Sequence, residues 1–125
     1  MQTETILDNV TVFTGPDGAL RAFKTNPTNA ALNAKTLLLF LDVHEVDNNC
    51  KLDITFEHSA DGQNWSPISP DIISTGGAAS SSTLYTGSES DFGAWVRFDV
   101  QVEESTAQSN QLSAQISLKA VWKPF

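Results

Sequence analysis

A strict alternation of apolar and polar side chains runs along three long segments of this chain. The segments are KLDITFEH (51–58), WVRFDVQVE (95–103) and LSAQISLKAVW (112–122). Because successive side chains of a β-strand point to opposite faces, this alternation is typical of strands with one buried and one exposed face. Shorter strand patterns occupy residues 10–14, 19–23, 66–68 and 83–86. Helix signals are confined to residues 26–35, where Pro27 could begin one or two turns.

We predict an all-β, single-domain antiparallel β-sandwich of about eight strands with a jelly-roll-like wiring. A chain of 125 residues is near the commonest size of one domain. A jelly roll is favoured over an immunoglobulin-like wiring because the candidate strands are unequal and long polar loops separate them. Residues 1–125 form this domain, with residues 1–9 as an N-terminal arm that orders on assembly and residues 123–125 as a C-terminal tail.

Residues 36–43 (TLLLFLDV) break the alternation, because both faces of this strand are apolar. Leu38 and Phe40 occupy the face that alternation would make polar. A strand that is apolar on both faces lies centrally beneath a covering loop or forms part of a subunit interface. Both hypotheses stay open, and the second makes Leu38 and Phe40 candidate interface residues.

The C-terminal residues WKPF (122–125) are further candidates for contact with a neighbouring subunit. Pro124 has no N–H and would stop the last strand from pairing further. An exposed Trp122 and an inserted Phe125 could then fill pockets of a partner. In the alternative, which has equal support, these apolar side chains belong to the core of the monomer.

The segment SADGQNW (59–65) predicts a hairpin turn. Gly62 supplies a residue that tolerates positive φ, and the Asp61 carboxylate can accept hydrogen bonds from turn amides. Ser59 can do the same with its hydroxyl, and Trp65 would lay its ring over a neighbouring strand. We interpret these four residues as a structural turn. The competing hypothesis is that Trp65 stacks on a sugar ring.

Charge and cysteine content exclude several classes of function. The chain has fifteen acidic and seven basic residues, a formal net charge of −8. Nucleic-acid-binding proteins neutralise phosphates with Lys and Arg, and an anionic membrane surface repels an acidic protein, so we predict neither as a partner. A lone cysteine, Cys50, permits no intrachain disulfide. The first ten residues lack the basic flank and apolar core of a signal peptide, which favours folding in the cytoplasm.

No motif for catalysis, cofactor binding or metal binding is evident. His44 has Asp42 and Glu45 nearby, with Cys50 six residues on, a spacing that matches no zinc pattern. Serine is abundant enough for a Ser/His/Asp triad, but no G-x-S-x-G nucleophile elbow occurs. We therefore predict no catalytic residue, no cofactor and no metal, and a small hydrolase is the weakest of three hypotheses.

Several segments together resemble small structural proteins from the virions of tailed bacteriophages. They are GPDGALRAFKT (15–25), a long apolar strand that ends LDVHEVD (41–47), LDITFEHSADGQNW (52–65), FGAWVRFDVQVE (92–103) and a closing strand. The resemblance covers most of residues 10–122. It implies a capsid decoration (cement) protein, or a minor head or neck component, that does no chemistry and is assembled into the virion in the host cytoplasm.

That resemblance also implies partners. We expect a homo-oligomer, a trimer rather than a dimer, in contact with the major capsid protein or another virion protein. The alternative is a carbohydrate-binding module or glycan-binding β-sandwich, in which Trp65, Trp95 or Tyr85 would stack on sugar rings.

Overall fold

The computed structural model describes residues 2–30, 34–106 and 110–124, except for the side chains of residues 69 and 70. The described residues form nine strands and a short 3-10 turn at Pro16–Gly18. The strands are β1 (Gln2–Phe13), β2 (Arg21–Lys24), β3 (Thr28–Asn29), β4 (Thr36–Val46), β5 (Cys50–Ser59), β6 (Ser66–Ser74), β7 (Thr83–Ser90), β8 (Trp95–Glu104) and β9 (Ser113–Lys123). The described residues contain no helix that is long and apolar enough to cross a membrane.

The strands form two antiparallel sheets whose wiring is that of a jelly roll. One sheet has the order β1-β9-β4-β7, and the other has the order β2-β8-β5-β6 with the short β3 also paired to β8. Apart from β3, the pairs are nested: β1 with β9, β2 with β8, β4 with β7, and β5 with β6. Nested pairing of this kind is a long hairpin rolled into two layers. The predicted antiparallel β-sandwich is therefore confirmed.

The short strand β3 lies where the sequence predicts the start of a helix. Thr28 and Asn29 pair with Val96 and Trp95 of β8. Residues 31–33 of the predicted helical turn lie outside the described residues. A helix over 26–35 is therefore wrong at its beginning, because pairing with a neighbouring strand outweighs a weak local helix signal.

The core lies between the two sheets. It consists of every second side chain of each strand, those that point inward. In β4, Leu37, Leu39 and Leu41 are fully buried. Phe56 of β5 stacks on Phe98 of β8 with ring centroids 5.5 Å apart. Each large apolar side chain that is fully buried stabilises the fold by about 1.5–3 kcal/mol. The alternation along the sequence is thus also the main source of stability.

The N-terminal segment is part of the sandwich. Residues 2–9, which the sequence predicts as an arm, belong to β1 and pair with β9 from Gln2 opposite Trp122 onward. Bulges between Thr5 and Leu7 and between Leu7 and Val10 interrupt the register, so the apolar residues of this strand do not alternate. An arm outside the sandwich is therefore wrong for residues 2–9, and the ordering of this segment on assembly stays a prediction. At the other terminus, Lys123 is the last residue of β9 and Pro124 follows it.

Candidate functional site

The outer face of the β1-β9-β4-β7 sheet carries an apolar surface. Leu38 and Phe40 of β4 point away from the core and are partly exposed, whereas their neighbours Leu37, Leu39 and Leu41 are fully buried. Val121 of β9 lies opposite Leu38, and Leu84 of β7, opposite Asp42, is 57% exposed. We call Leu38, Phe40, Leu84 and Val121 the outer apolar patch. All four side chains are at least partly exposed.

Two opposite charges flank this patch. Lys119 lies opposite Phe40 on β9, and Asp42 follows Phe40 on the same face of β4. With Leu84 and Ser117 these residues line an open depression of about 230 Å³. Apolar side chains between a lysine and an aspartate can bury area against a partner while the charges orient the contact.

Trp122 does not belong to this surface. Its side chain is only 4% exposed and shares the buried parity of Leu118 and Ala120 on β9. Its ring makes an edge contact with Phe92, with centroids 5.9 Å apart. The prediction of an interfacial Trp122 is therefore wrong, and the alternative, a place in the core of the monomer, holds for this residue. Phe125 lies outside the described residues, and its proposed contact stays a prediction.

The residues of the predicted turn form a hydrogen-bonded loop between β5 and β6. The Ser59 hydroxyl accepts the N–H groups of Asp61 (3.2 Å) and Gly62 (2.9 Å) and donates to Asp61 Oδ1 (2.9 Å). Asp61 Oδ1 also accepts the N–H groups of Gln63 and Asn64, at 2.8 and 2.9 Å. Gly62 has a φ of +78°, which an L side chain rarely adopts.

The ionised form of Asp61 is favoured by these donors. The backbone N–H groups of Asn64 and Gln63, and then the side chains of Asn64 and Ser59, hold the pKa of the Asp61 carboxyl far below its ordinary value. A carboxylate that accepts several hydrogen bonds loses them on protonation, which is the cause of the shift. All the bonds of Asp61 stay within its own loop, as expected for a structural turn.

Two tryptophans flank this turn. The guanidinium of Arg97 lies 4.3 Å from the ring centroid of Trp65. Arg97 is held in turn by Glu57, whose Oε1 accepts its Nε–H at 3.1 Å. Trp95 lies beneath the loop, since a Cβ on Gly62 would come 3.4 Å from its ring. Both indoles remain partly exposed.

Tyr85 does not join the two tryptophans. It lies on β7, in the opposite sheet, and its hydroxyl accepts the N–H of Ser80 at 3.1 Å. The structure therefore brings together two of the three aromatic residues that the carbohydrate hypothesis singles out.

A serine–histidine pair appears that the sequence pattern did not indicate. Ser117 Oγ and His44 Nε2 are 2.8 Å apart, although 73 residues separate them along the chain. Such spacing suits a nucleophile and its base. However, Asp42 Oδ2 is 4.0 Å from His44 Nδ1, beyond a hydrogen bond, and Ser117 Oγ also accepts the N–H of Asn9 at 2.9 Å. The pair therefore holds the β1 bulge, where Asn9 has a φ of 53°, against β9 and β4.

The other candidate ligands and nucleophiles are occupied or buried. Burial, with a smaller contribution from Asp47, raises the pKa of the Cys50 thiol to about 11, so the thiol is protonated at neutral pH. His58 Nδ1 accepts the N–H of Gly93 at 3.0 Å. No group of three or more His, Cys, Asp or Glu side chains in the described part of the chain is arranged to hold a metal ion.

Several solved structures have a fold similar to that of this chain. The chain shares its fold with VP2 of a subviral particle of infectious bursal disease virus. The two superimpose with a TM-score of 0.63 at 14% identity, over 95% of this chain and 31% of VP2. This chain thus spans about a third of that protein's length, and the likeness concerns the fold.

Two further structures have the same sandwich at lower similarity. The PBSX exported protein XepA matches with a TM-score of 0.50 and 10% identity over 93% of this chain and 36% of XepA. The carbohydrate-binding module TmCBM61, solved with β-1,4-galactotriose, matches with a TM-score of 0.50 and 10% identity over 92% of this chain and 70% of the module. No protein-family model matches the chain, and no curated protein matches it.

Proposed function

We propose that this chain is a non-enzymatic structural protein of a virus particle, which acts by binding its neighbours through the outer apolar patch. The observation that carries the proposal is an apolar group of side chains on the outward face of a jelly-roll sheet, where alternation would place polar residues. Leu84 is 57% exposed, and Phe40 lines an open depression beside it. The fold shared with VP2, which forms a subviral particle, supports the same function.

The patch can join copies of this chain. Burial of exposed apolar area contributes roughly 25 cal/mol per Å², and aromatic side chains near the centre of an interface contribute most. Phe40 has that position, with Lys119 beside it and Asp42 further along β4. Copies arranged around a threefold axis can place Lys119 of one near Asp42 of the next, so that opposite charges select the register.

At finer detail we propose a decoration or cement protein of a tailed-bacteriophage head, a homo-oligomer that also contacts the major capsid protein. The small size and acidic surface are compatible with this function, and many weak contacts multiplied by symmetry can stabilise a shell. A trimer rather than a dimer, and a place in the virion after assembly in the host cytoplasm, are parts of the same proposal.

The test has two arms. Mass spectrometry of purified virus particles should find the chain at a stoichiometry set by shell symmetry, and its absence from particles would contradict the proposal. In solution, Leu84→Glu should weaken self-association, whereas Ala78→Glu, which adds the same charge in the exposed 75–82 loop, should not. Both variants should keep the melting temperature of the wild type, since both side chains are exposed.

A second candidate function is glycan binding at the β5–β6 turn. Trp65 and Trp95 are partly exposed on either side of a loop that carries the exposed amides of Gln63 and Asn64. Aromatic faces beside hydrogen-bonding amides are what a sugar site needs. Quenching of tryptophan fluorescence by an oligosaccharide panel, abolished in Trp65→Ala, would favour this function. If no oligosaccharide quenches the fluorescence, this candidate fails, and the virion proposal is unaffected.

A further inference from the structure

The two lateral edges of the sandwich differ. At one edge β6 and β7 close the gap between the sheets, and a Cβ on Gly87 would overlap the carbonyl oxygen of Ile72. At the other edge, between β1 and β2, the sandwich stays open as a groove of about 370 Å³. Strands β1 and β2 are the outermost strands of their sheets on this side.

Apolar side chains line the groove. Val12 and Val102 are buried at its base, and Phe13 and Phe23 flank it at 46% and 45% exposure. Of the four large apolar residues that are exposed in the described residues, three lie along this edge: Phe13, Leu20 and Phe23. An exposed apolar concentration of this kind marks an interaction site.

No described strand pairs with the outer backbone of β1 at the same place. The N–H of Thr14 donates to the carbonyl of Leu112, toward β9. Because backbone groups alternate in direction along a strand, the N–H and C=O groups of Thr11 and Phe13 point away from β9, to the open side. Residues 10–13 (VTVF) carry no charge and no proline, which are the usual protections of an edge strand.

We propose that a second copy of this chain pairs antiparallel with β1 through residues 10–13 and continues the β1-β9-β4-β7 sheet across a twofold axis. With the axis at Val12, Thr11 of each copy faces Phe13 of the other, and the pair exchanges four backbone hydrogen bonds. The valines at 10 and 12 of the added strand then lie on the groove side and cover Phe23.

Charge complementarity supports a second copy of this chain as the partner that binds in the groove. Arg21 lines the groove at the end where β1 finishes, and Asp8 precedes the other end of residues 10–13. Antiparallel pairing reverses the direction of the added strand, so the second copy's Asp8 lies on the side of Arg21, and twofold symmetry makes two such pairs. Neither residue forms an ion pair with any described residue.

Hydrogen exchange of the full chain at low and high protein concentration tests the backbone pairing. The amides of Thr11 and Phe13 should slow by about tenfold once nine-tenths of the chains are paired, since exchange then proceeds through the free form. The amide of Val12, which already points to β9, is the internal control. A chain that stays monomeric at high concentration overturns the proposal, as does an oligomer whose Thr11 and Phe13 amides exchange freely.

Exchanging the charges of Arg21 and Asp8 tests whether the partner is a second copy of this chain. Arg21→Glu and Asp8→Arg should each weaken self-association by about tenfold, and the double variant should restore it, because the pair is then reversed. Single variants without effect, or a double variant without rescue, overturn the proposal and favour a different chain as occupant. Thr11→Lys should also weaken association, whereas Gln115→Lys, one strand further into the same sheet face, should not.

This inference does not depend on the proposed function. An edge contact that persists in Leu84→Glu would show that it is separate from the outer apolar patch. If the experiments show no edge contact, the outer apolar patch and the virion proposal are unaffected.

Discussion

The indole N–H of Trp122 donates a hydrogen bond to the Glu4 carboxylate, 3.2 Å away. The bond joins the last strand, β9, to the first, β1, and the other carboxylate oxygen of Glu4 accepts the Thr28 hydroxyl at 3.3 Å. Trp122 is thus a buried aromatic side chain with its polar atom satisfied, as such residues require.

Trp122→Ala should lower the free energy of unfolding by about 3–5 kcal/mol, because it empties a core position and leaves Glu4 without a donor. Chemical denaturation measures this directly. Trp65→Ala, at a partly exposed indole, is the matched control and should cost much less. Equal losses in the two variants would contradict the assignment of Trp122 to the core.

Adjacent leucines of β4 should behave in opposite ways. Leu39→Ala should cost about 2–5 kcal/mol of stability, because Leu39 is fully buried. Leu38→Ala should leave the stability of the isolated chain nearly unchanged but weaken its self-association. Denaturation curves and sedimentation on both variants separate the two effects, and a Leu38 variant that unfolds like the Leu39 variant would argue against an outward patch.

The Asp61 turn should give a pH-dependent stability. The pKa of Asp61 is lowered in the folded chain, so its ionised form stabilises the fold above its ordinary pKa of about 3.8, and this contribution declines as pH falls below that value. The melting temperature of the wild type should therefore exceed that of Asp61→Asn at neutral pH, and the difference should shrink below about pH 4. The control is Glu45→Gln, an exposed carboxylate outside the turn. A difference that stays constant with pH would contradict the hydrogen-bonding explanation.

Gly87 should tolerate no side chain. Gly87→Ala places a methyl group against the Ile72 carbonyl and should destabilise the chain by roughly 1–3 kcal/mol through forced separation of β6 and β7. Gly77→Ala is the control, since a Cβ there would meet no atom within 4 Å. Thermal unfolding of both variants is the measurement, and equal melting temperatures would show that this edge is not tightly closed.

Much of the fold could be predicted because side-chain parity is a local property. The strands at 51–58, 95–103 and 112–122 were recognisable, and the same parity places Trp122 with Leu118 and Ala120 in the core. Trp122 was predicted to be exposed because it lies near the end of the chain. The alternation along β9 places it in the core instead, because burial of a large indole is strongly favourable.

Bulges hid the first part of β1, residues 2–9, from sequence analysis. Its two register shifts break the alternation between Thr5 and Val10, so residues 2–9 carry no period-2 signal even though β9 pairs with them. Likewise, the hydrogen bond between His44 and Ser117 depends on β4 lying beside β9, and no spacing along the chain encodes it.

The amino-acid sequence by itself determined that this chain is an acidic β protein and that Ser59, Asp61 and Gly62 can close a turn. It also determined which side chains point inward along most strands. Tertiary structure alone decided which strands became edges, that β6 and β7 close one side while β1 and β2 leave the other open, and which apolar side chains outside the core remain in contact with water. The physical reason is that strand faces follow from local geometry, whereas strand neighbours follow from pairing between residues far apart along the chain.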